Sequence, residues 1–206
     1  RGRRGRLWVS ERGNLYSTLL LFPRCELDLA GGLTFVAGLA VLRAVAELAP
    51  DLAGKLRLKW PNDLLVSGKK IAGLLLESAG RREAGHYALV IGCGINCGHH
   101  PGEAMYPVTD LETEGASISL DHLFEAYAHH FDDLRRIWQE GAGFSKIREL
   151  WLQKCVGIGS PITVRLQDQE LTGVFKDLDS SGQLILEAPS GVTTVVTAGD
   201  VFFPQP

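Results

Sequence analysis

Cysteine is scarce: Cys25, Cys93, Cys97 and Cys155 are the only four, scattered over 206 residues. Thiols so few and so spaced do not make a disulfide scaffold, and they read as reduced cysteines of a cytoplasmic protein. An excess of either charge is also missing. Lys+Arg 21 against Asp+Glu 24 leaves a net charge of -3, which excludes a disordered polyelectrolyte and gives no overall support to nucleic-acid binding. No apolar run reaches the roughly 20 residues of a bilayer span. The longest helical candidate, Leu33 to Leu48, is interrupted by Arg43 and Glu47. No signal peptide stands within the sequence, and its 24 glycines and 9 prolines follow no collagen-like period. What is present, 45% apolar residues, suffices for one medium core with room for a small second domain. The chain opens on Arg1 inside a dense motif, so a preceding segment is expected.

Patterning along the chain predicts a mixed α+β order. Asn14 to Phe22 reads as a buried strand and Pro23 to Gly32 as a loop. Leu33 to Leu48, apolar nearly all round, predicts a helix packed on two sides. Short strands are expected at Leu56–Trp60 and Asp63–Ser67 about a Pro-Asn-Asp turn, then at Lys69–Ser78 and Tyr87–Ile95. A Gly-, Pro- and His-rich loop runs from Asn96 to about Gly115. An amphipathic helix capped by Ser119 or Asp121 follows, with Leu123, Phe124, Tyr127, Phe131, Leu134 and Trp138 on one face. Phe144 to Cys155 predicts a shorter helix. Beyond Gly157 the texture changes to four short strands, ITVRL, LTGVFKDL, QLILE and VTTVVT, which suggest a small barrel. The expected domains are therefore residues 1–155 and 156–206.

Three clusters can carry chemistry. Arg1, Arg3, Arg4 and Arg6 alternate with Gly2 and Gly5. Guanidinium groups grip phosphates and carboxylates in bidentate fashion, and glycine lets a ligand approach the backbone. An RG-rich tail is the competing explanation, although the motif runs straight into Trp8 and an apolar segment. The second cluster is Lys59-Trp60-Pro61-Asn62-Asp63 with Gly68-Lys69-Lys70-Ile71-Ala72-Gly73, where two cations can converge on one anion or simply decorate a hairpin. The third is Gly92-Cys93-Gly94-Ile95-Asn96, a strand end where glycines admit a planar ligand and an Asn amide can donate and accept, or a plain structural turn. Cys93, Cys97, His99 and His100 match no common zinc spacing, so no metal site is assigned. His129 and His130 read as helix-surface residues.

In combination, RGRRGRLWVS, NLYSTLL, KWPNDLLV, GKKIAGLLLE and IGCGIN resemble the biotin protein ligases, in order and over essentially the whole chain. The resemblance implies a class II aminoacyl-tRNA synthetase-like catalytic domain with an SH3-like C-terminal domain. It implies ligase chemistry too: biotin and Mg²⁺-ATP give biotinyl-5'-AMP, and biotin then passes to a lysine of a biotin carboxyl carrier protein. By the same resemblance Arg1, Gly2 and Arg3 line the biotin and phosphate position, and Arg3 and Lys70 meet the carboxylate or adenylate phosphate. Arg6 and Lys59 hold ATP phosphates, Asp63 orients the cations or Mg²⁺, Trp8 covers adenosine and Asn96 reads its amino group. Asn62 and Gly73 complete the binding set. The catalytic assignment is Arg3, Lys59, Lys70 and Asp63. No DNA or membrane partner is implied, and a homodimer is compatible.

Two departures from the family pattern stand out. A Ser/Thr-containing strand and a Gln-x-x-Gly segment, expected upstream of RGRRGR, are not in this sequence. The chain also finishes VFFPQP where many members carry a basic residue that reaches ATP. The competing readings are a lipoate or octanoyl ligase or transferase of the same fold, and a binding fragment without turnover.

Overall fold

A computed structural model describes residues 10–81, 87–102 and 106–204, with backbone alone at 79–81. Five strands, β1 (Leu15–Leu21), β2 (Leu56–Lys59), β3 (Asp63–Val66), β4 (Lys69–Arg81) and β5 (Tyr87–Ile95), form an antiparallel sheet in the order β1-β5-β4-β3-β2. Side chains alternate across it, so Leu89, Ile91, Cys93 and Ile95 are buried while Val90 and Gly92 between them are partly open. Helices α2 (Leu33–Leu48), α3 (Leu120–Trp138) and α4 (Phe144–Leu152) pack together behind the buried face. α1 (Leu27–Ala30) is a single turn inside the segment expected to be loop.

Helix α2 buries Leu33, Phe35, Val36, Leu39, Val41 and Val45 on nearly every side, as its composition requires. With α1 it makes a 22-residue apolar stretch, long enough by composition to cross a bilayer; 72% of its most apolar window is buried inside the fold. At roughly 1.5–3 kcal/mol per buried large aliphatic side chain, this helix is a principal source of core stability. In α3 the buried stripe is Leu123, Tyr127, Phe131, Leu134 and Trp138. Phe124, expected on that stripe, is 41% exposed, because one residue turns about 100° around the helix. Ser119 occupies the N-cap position without a side-chain hydrogen bond, and Asp121 lies in the first turn, where a negative charge suits the helix dipole. His130 is more than a surface residue, since its Nε2 lies 2.7 Å from Glu47 Oε2 on α2. The turn between α3 and α4 needs glycine at 143, where a Cβ would fall 1.8 Å from the Ile137 carbonyl oxygen. Strand β1, expected to be buried, alternates instead and leaves Leu20 58% exposed; among the described residues it pairs with β5 alone, at one end of the sheet.

The second sheet contains β6 (Pro161–Arg165), β7 (Glu170–Leu178), β8 (Leu184–Glu187), β9 (Thr193–Val196) and β10 (Asp200–Phe202), ordered β10-β6-β7-β8-β9. Four of these match the expected strands. The fifth, β10, spans three residues and returns the chain to pair Val201 with Val164. The two sheets are bound tightly. Val156 donates to the Leu58 carbonyl (2.9 Å) and Leu58 to that of Lys154 (2.8 Å), so the chain leaving α4 is stitched to β2. Trp60 Nε1 donates to the Gly182 carbonyl at 3.0 Å. Gly182 has φ +79°, and a Cβ there would meet the Phe35 ring at 2.6 Å, so the β7–β8 turn seats against α2 only as glycine.

Candidate active site

Opposed residues of antiparallel strands project to one face. One row crosses all five strands: Tyr16, Gly94, Gly73, Asp63 and Lys59, each the register partner of the next. This face is the one turned away from the helices. Its two central members lack side chains, so a floor of bare backbone lies between a tyrosine on one flank and an Asp–Lys pair on the other. The neighbouring row on that face, Thr18, Gly92 and Leu75, extends the trough. A Cβ at Gly92 would meet only Leu75 atoms, at 3.8 Å and beyond, so crowding does not demand glycine there.

At the β3 side the trough is lined with charge. Lys70 Nζ lies 2.6 Å from Asp63 Oδ1, with the two side chains only 12% and 11% exposed, and 3.4 Å from Tyr106 Oη. Burial alone would depress the Lys70 pKa, but the Asp63 and Tyr106 charges and hydrogen bonds outweigh it and hold the ammonium above its ordinary value. Lys69 points the other way, 46% exposed, and pairs with Glu114 at 2.9 Å. A β-bulge decides between them. The register shifts after Leu64, so Leu65 faces Lys70 and Ile71 is the extra residue. Strict alternation counted back from Gly73 would have brought Lys69 to this face; the bulge brings Lys70.

Lys59, 7% exposed, ends β2 beside this pair. Its Nζ is 4.6 Å from the centre of the Tyr106 ring, 5.9 Å from Phe202 and 5.8 Å from Phe203. Asn96 caps the end of β5, buried, with Nδ2 donating to the Thr109 carbonyl at 3.0 Å. Its backbone joins Ile71 and Leu111, so it ties the following loop to the trough. Asn62 turns its amide onto the Leu74 carbonyl, and Leu74 N–H returns a bond to the Asn62 carbonyl, which pins the Pro-Asn-Asp turn on β4. These bonds hold Asn62, a residue expected to bind ligand, at the edge of the trough. Gly73 sits at its centre.

The structure therefore brings Lys59, Asp63, Lys70, Gly73 and Asn96 to one region. Arg1, Gly2, Arg3, Arg6 and Trp8 lie outside the described residues. Gly94, singled out in the sequence as part of a glycine-rich strand end, belongs to the same region, as do Tyr106, Tyr16 and Asn14, which were given no site role in the sequence reading. Asn14 Oδ1 accepts from the N–H groups of Cys97, Gly98 and His99 (2.8, 3.1 and 3.3 Å), and its Nδ2 reaches Tyr16 Oη at 3.1 Å. The zinc ligands weighed in the sequence do not converge. His99 bonds the Arg12 carbonyl, His100 pairs with Asp110 at 2.5 Å, and burial pushes the Cys93 thiol up to about 12 and Cys97 up to about 11.

Comparison with known proteins settles the ancestry of this arrangement. The Biotin/lipoate A/B protein ligase family matches residues 1–96, and the Biotin protein ligase C terminal domain matches residues 157–203. A biotin–acetyl-CoA-carboxylase ligase of Paracoccus denitrificans is 38% identical over 98% of this chain and 85% of its own length. The chain belongs to the biotin protein ligase family. Among solved structures, the Aquifex aeolicus biotin protein ligase with biotin and ATP superposes with a TM-score of 0.78 at 26% identity, covering 98% of this chain and 83% of that one. A single-residue variant of that ligase with biotin gives 0.81 at 25% identity over 99% and 84%. The class II synthetase-like catalytic domain with an appended C-terminal domain, expected from the resemblance, is therefore the fold of this biotin protein ligase family member.

Proposed function

We infer that this chain activates biotin with ATP to biotinyl-5'-AMP and transfers the biotinyl group to a lysine of a biotin carboxyl carrier protein. The observation that carries the reading is the glycine-floored trough that ends at two buried lysines, in a chain so similar to a biotin ligase. A biotin carboxylate oxygen attacks the α-phosphorus, the bond to the bridging oxygen breaks, and pyrophosphate leaves. Two anions must meet, so the step needs fixed positive charge in a place poor in water. In this reading Lys70, held charged by Asp63, neutralises the carboxylate and the α-phosphate. Lys59 is assigned to the remaining phosphates. Gly73 and Gly94 let the ligand lie on the backbone, and Asn96 offers its amide oxygen to an adenine amino group. In the second step the carrier's lysine amine attacks the acyl carbon, losing a proton as AMP departs.

Arg1, Arg3 and Arg6 with Gly2 are assigned to biotin and phosphates, and Trp8 to adenosine, on the strength of the family motif. We take Mg²⁺ to accompany ATP; Asp63, which the family resemblance assigns to orienting the cations or Mg²⁺, pairs with Lys70. We divide the chain at 155/156 into a catalytic and a C-terminal domain, on the change of sheet. Free cysteines throughout support a reducing compartment, the cytoplasm. We propose the β1 end of the first sheet, where Leu20 and Phe22 are exposed among the described residues, as the contact of a homodimer; molar mass by light scattering tests it. For the activity, pyrophosphate release by the full-length enzyme is measured with biotin, lipoate or octanoate. Release with biotin supports the reading, and release with lipoate or octanoate alone overturns it in favour of the other branch of the fold.

A further inference from the structure

Asn14 stands just before β1, and three bonds fix the direction of its amide. Its Oδ1 accepts from the N–H groups of Cys97, Gly98 and His99, so the amide cannot be turned over without stranding three donors. Its Nδ2, a donor only, therefore faces His99 Nδ1 at 3.0 Å, beside the Tyr16 hydroxyl at 3.1 Å and the His99 carbonyl at 3.0 Å. Across the ring, His99 Nε2 lies 2.8 Å from the Arg12 carbonyl, an acceptor only. One of the three protonation forms of imidazole satisfies both neighbours: the neutral ring with its proton on Nε2 and its lone pair on Nδ1. The other tautomer is wrong at both ends. The imidazolium keeps the Arg12 bond but sets N–H against N–H at Asn14. Among the described residues the charges nearby do not repair that clash. Glu11 Oε2 is 3.8 Å from Nε2, on the opposite side of the ring, and is 70% exposed. Arg12 is a cation in the same turn, Asp110 is taken by His100 at 2.5 Å, and the Glu112 carboxylate lies against Gly98.

We propose that His99 is a positioning residue for the acid substrate, acting through Arg12 and Asn14, and that it works only as the neutral ring protonated on Nε2. It joins two segments. Residues 11–14 continue the arginine motif, and residues 97–99 follow Asn96 at the end of β5. Gly98 N–H, bonded to the Gly13 carbonyl at 3.2 Å, makes the same join through the backbone. Protonating His99 removes one bond of the join, so the arginine segment is held less well as pH falls through the range in which an imidazole titrates. This rests on the assignment of the arginine motif to biotin and phosphates above.

The test is steady-state adenylation by the full-length enzyme with biotin varied at saturating Mg²⁺-ATP, from about pH 8 down to about pH 5.5, for the wild type, His99→Gln and His99→Ala. Glutamine keeps a neutral donor and an acceptor and does not titrate; alanine removes both. Wild-type KM for biotin should rise on acidification by roughly 2- to 12-fold more than that of His99→Gln, the worth of one neutral hydrogen bond. His99→Ala should show the raised KM already at the alkaline end, with no further excess in acid. His100 is present in all three proteins, so its own titration cancels. A tautomer-resolving ¹H–¹⁵N spectrum of the imidazoles, with His99→Gln giving the assignment, should show His99 protonated on Nε2 alone at about pH 8. The same pH dependence of KM in wild type and His99→Gln, wild-type KM in His99→Ala, or a proton on Nδ1 at the alkaline end overturns the inference. If lipoate or octanoate proves to be the acid activated, the biotin reading fails, and the same comparison is made on KM for that acid, so the two failures are told apart.

Discussion

Replacing Lys70 should damage adenylation far more than replacing Lys69, although the two are adjacent. Lys70 is 12% exposed and bonded to Asp63 and Tyr106, whereas Lys69 is 46% exposed with Glu114 as partner. Removing a fixed charge-assisted contact to a transition-state phosphate costs about 2–4 kcal/mol, or roughly 30- to 1,000-fold in rate. Loss of an exposed, screened pair costs about 0–1 kcal/mol, roughly fivefold at most. Stability complicates the first variant. Lys70→Ala leaves the Asp63 carboxylate buried and unpaired by its closest cation, a change that destabilises folded proteins by about 3–5 kcal/mol. The informative control is Asp63→Asn with Lys70→Met, which removes both charges and should recover much of the stability without recovering the rate. The assay is single-turnover biotinyl-AMP formation by the full-length enzyme, each variant first checked by thermal melting. Comparable rates for Lys70→Ala and Lys69→Ala, or a faster-failing Lys69→Ala, would show that the bulge at Ile71 does not select the active lysine.

Further outcomes follow from single contacts. Trp60→Phe removes the bond to the Gly182 carbonyl and should lower stability by about 1–3 kcal/mol, since that buried acceptor loses its donor. Gly182→Ala should be worse in the same melting experiment, because the positive φ and the Phe35 ring both oppose a Cβ. The Asp110 carboxyl would be raised by burial, but hydrogen bonds from Thr113 and His100 hold it below the usual carboxylate range. A lowered folded pKa gives stability that is present above the unfolded pKa and lost as pH falls through the folded one. Asp110→Asn should therefore flatten the acid limb of the stability profile, and an unchanged limb would refute that role. Lys70 has the opposite sign: its raised pKa gives stability that is complete below the unfolded value and lost as pH rises through the folded one. Lys70→Met with Asp63→Asn should remove that alkaline loss in pH-dependent melting.

Sequence periodicity made the frame legible. Helix α2 is apolar on nearly every side because it is buried on nearly every side, and the α3 stripe recurs at three and four residues because one face meets α2. The glycines at 73, 92 and 94 were visible as letters, but their alignment across three strands depends on register, which no local pattern states. The bulge at Ile71 is similarly invisible, and it reverses which lysine alternation would choose. Tyr106 and Asn14 act through distant partners in loops, where there is no period to read. β10 was missed because three residues before a proline carry too little signal, yet it delivers Phe202 to Lys59.

The most direct test of the central claim is the intact mass of a biotin carboxyl carrier domain incubated with the full-length enzyme, ATP, Mg²⁺ and an equimolar mixture of biotin, lipoate and octanoate. The account predicts the addition of one biotinyl group at a single lysine, dependent on ATP and strongly reduced by Lys70→Ala. A lipoyl or octanoyl adduct, or biotinylation that survives loss of Lys70 at the wild-type rate, would contradict it.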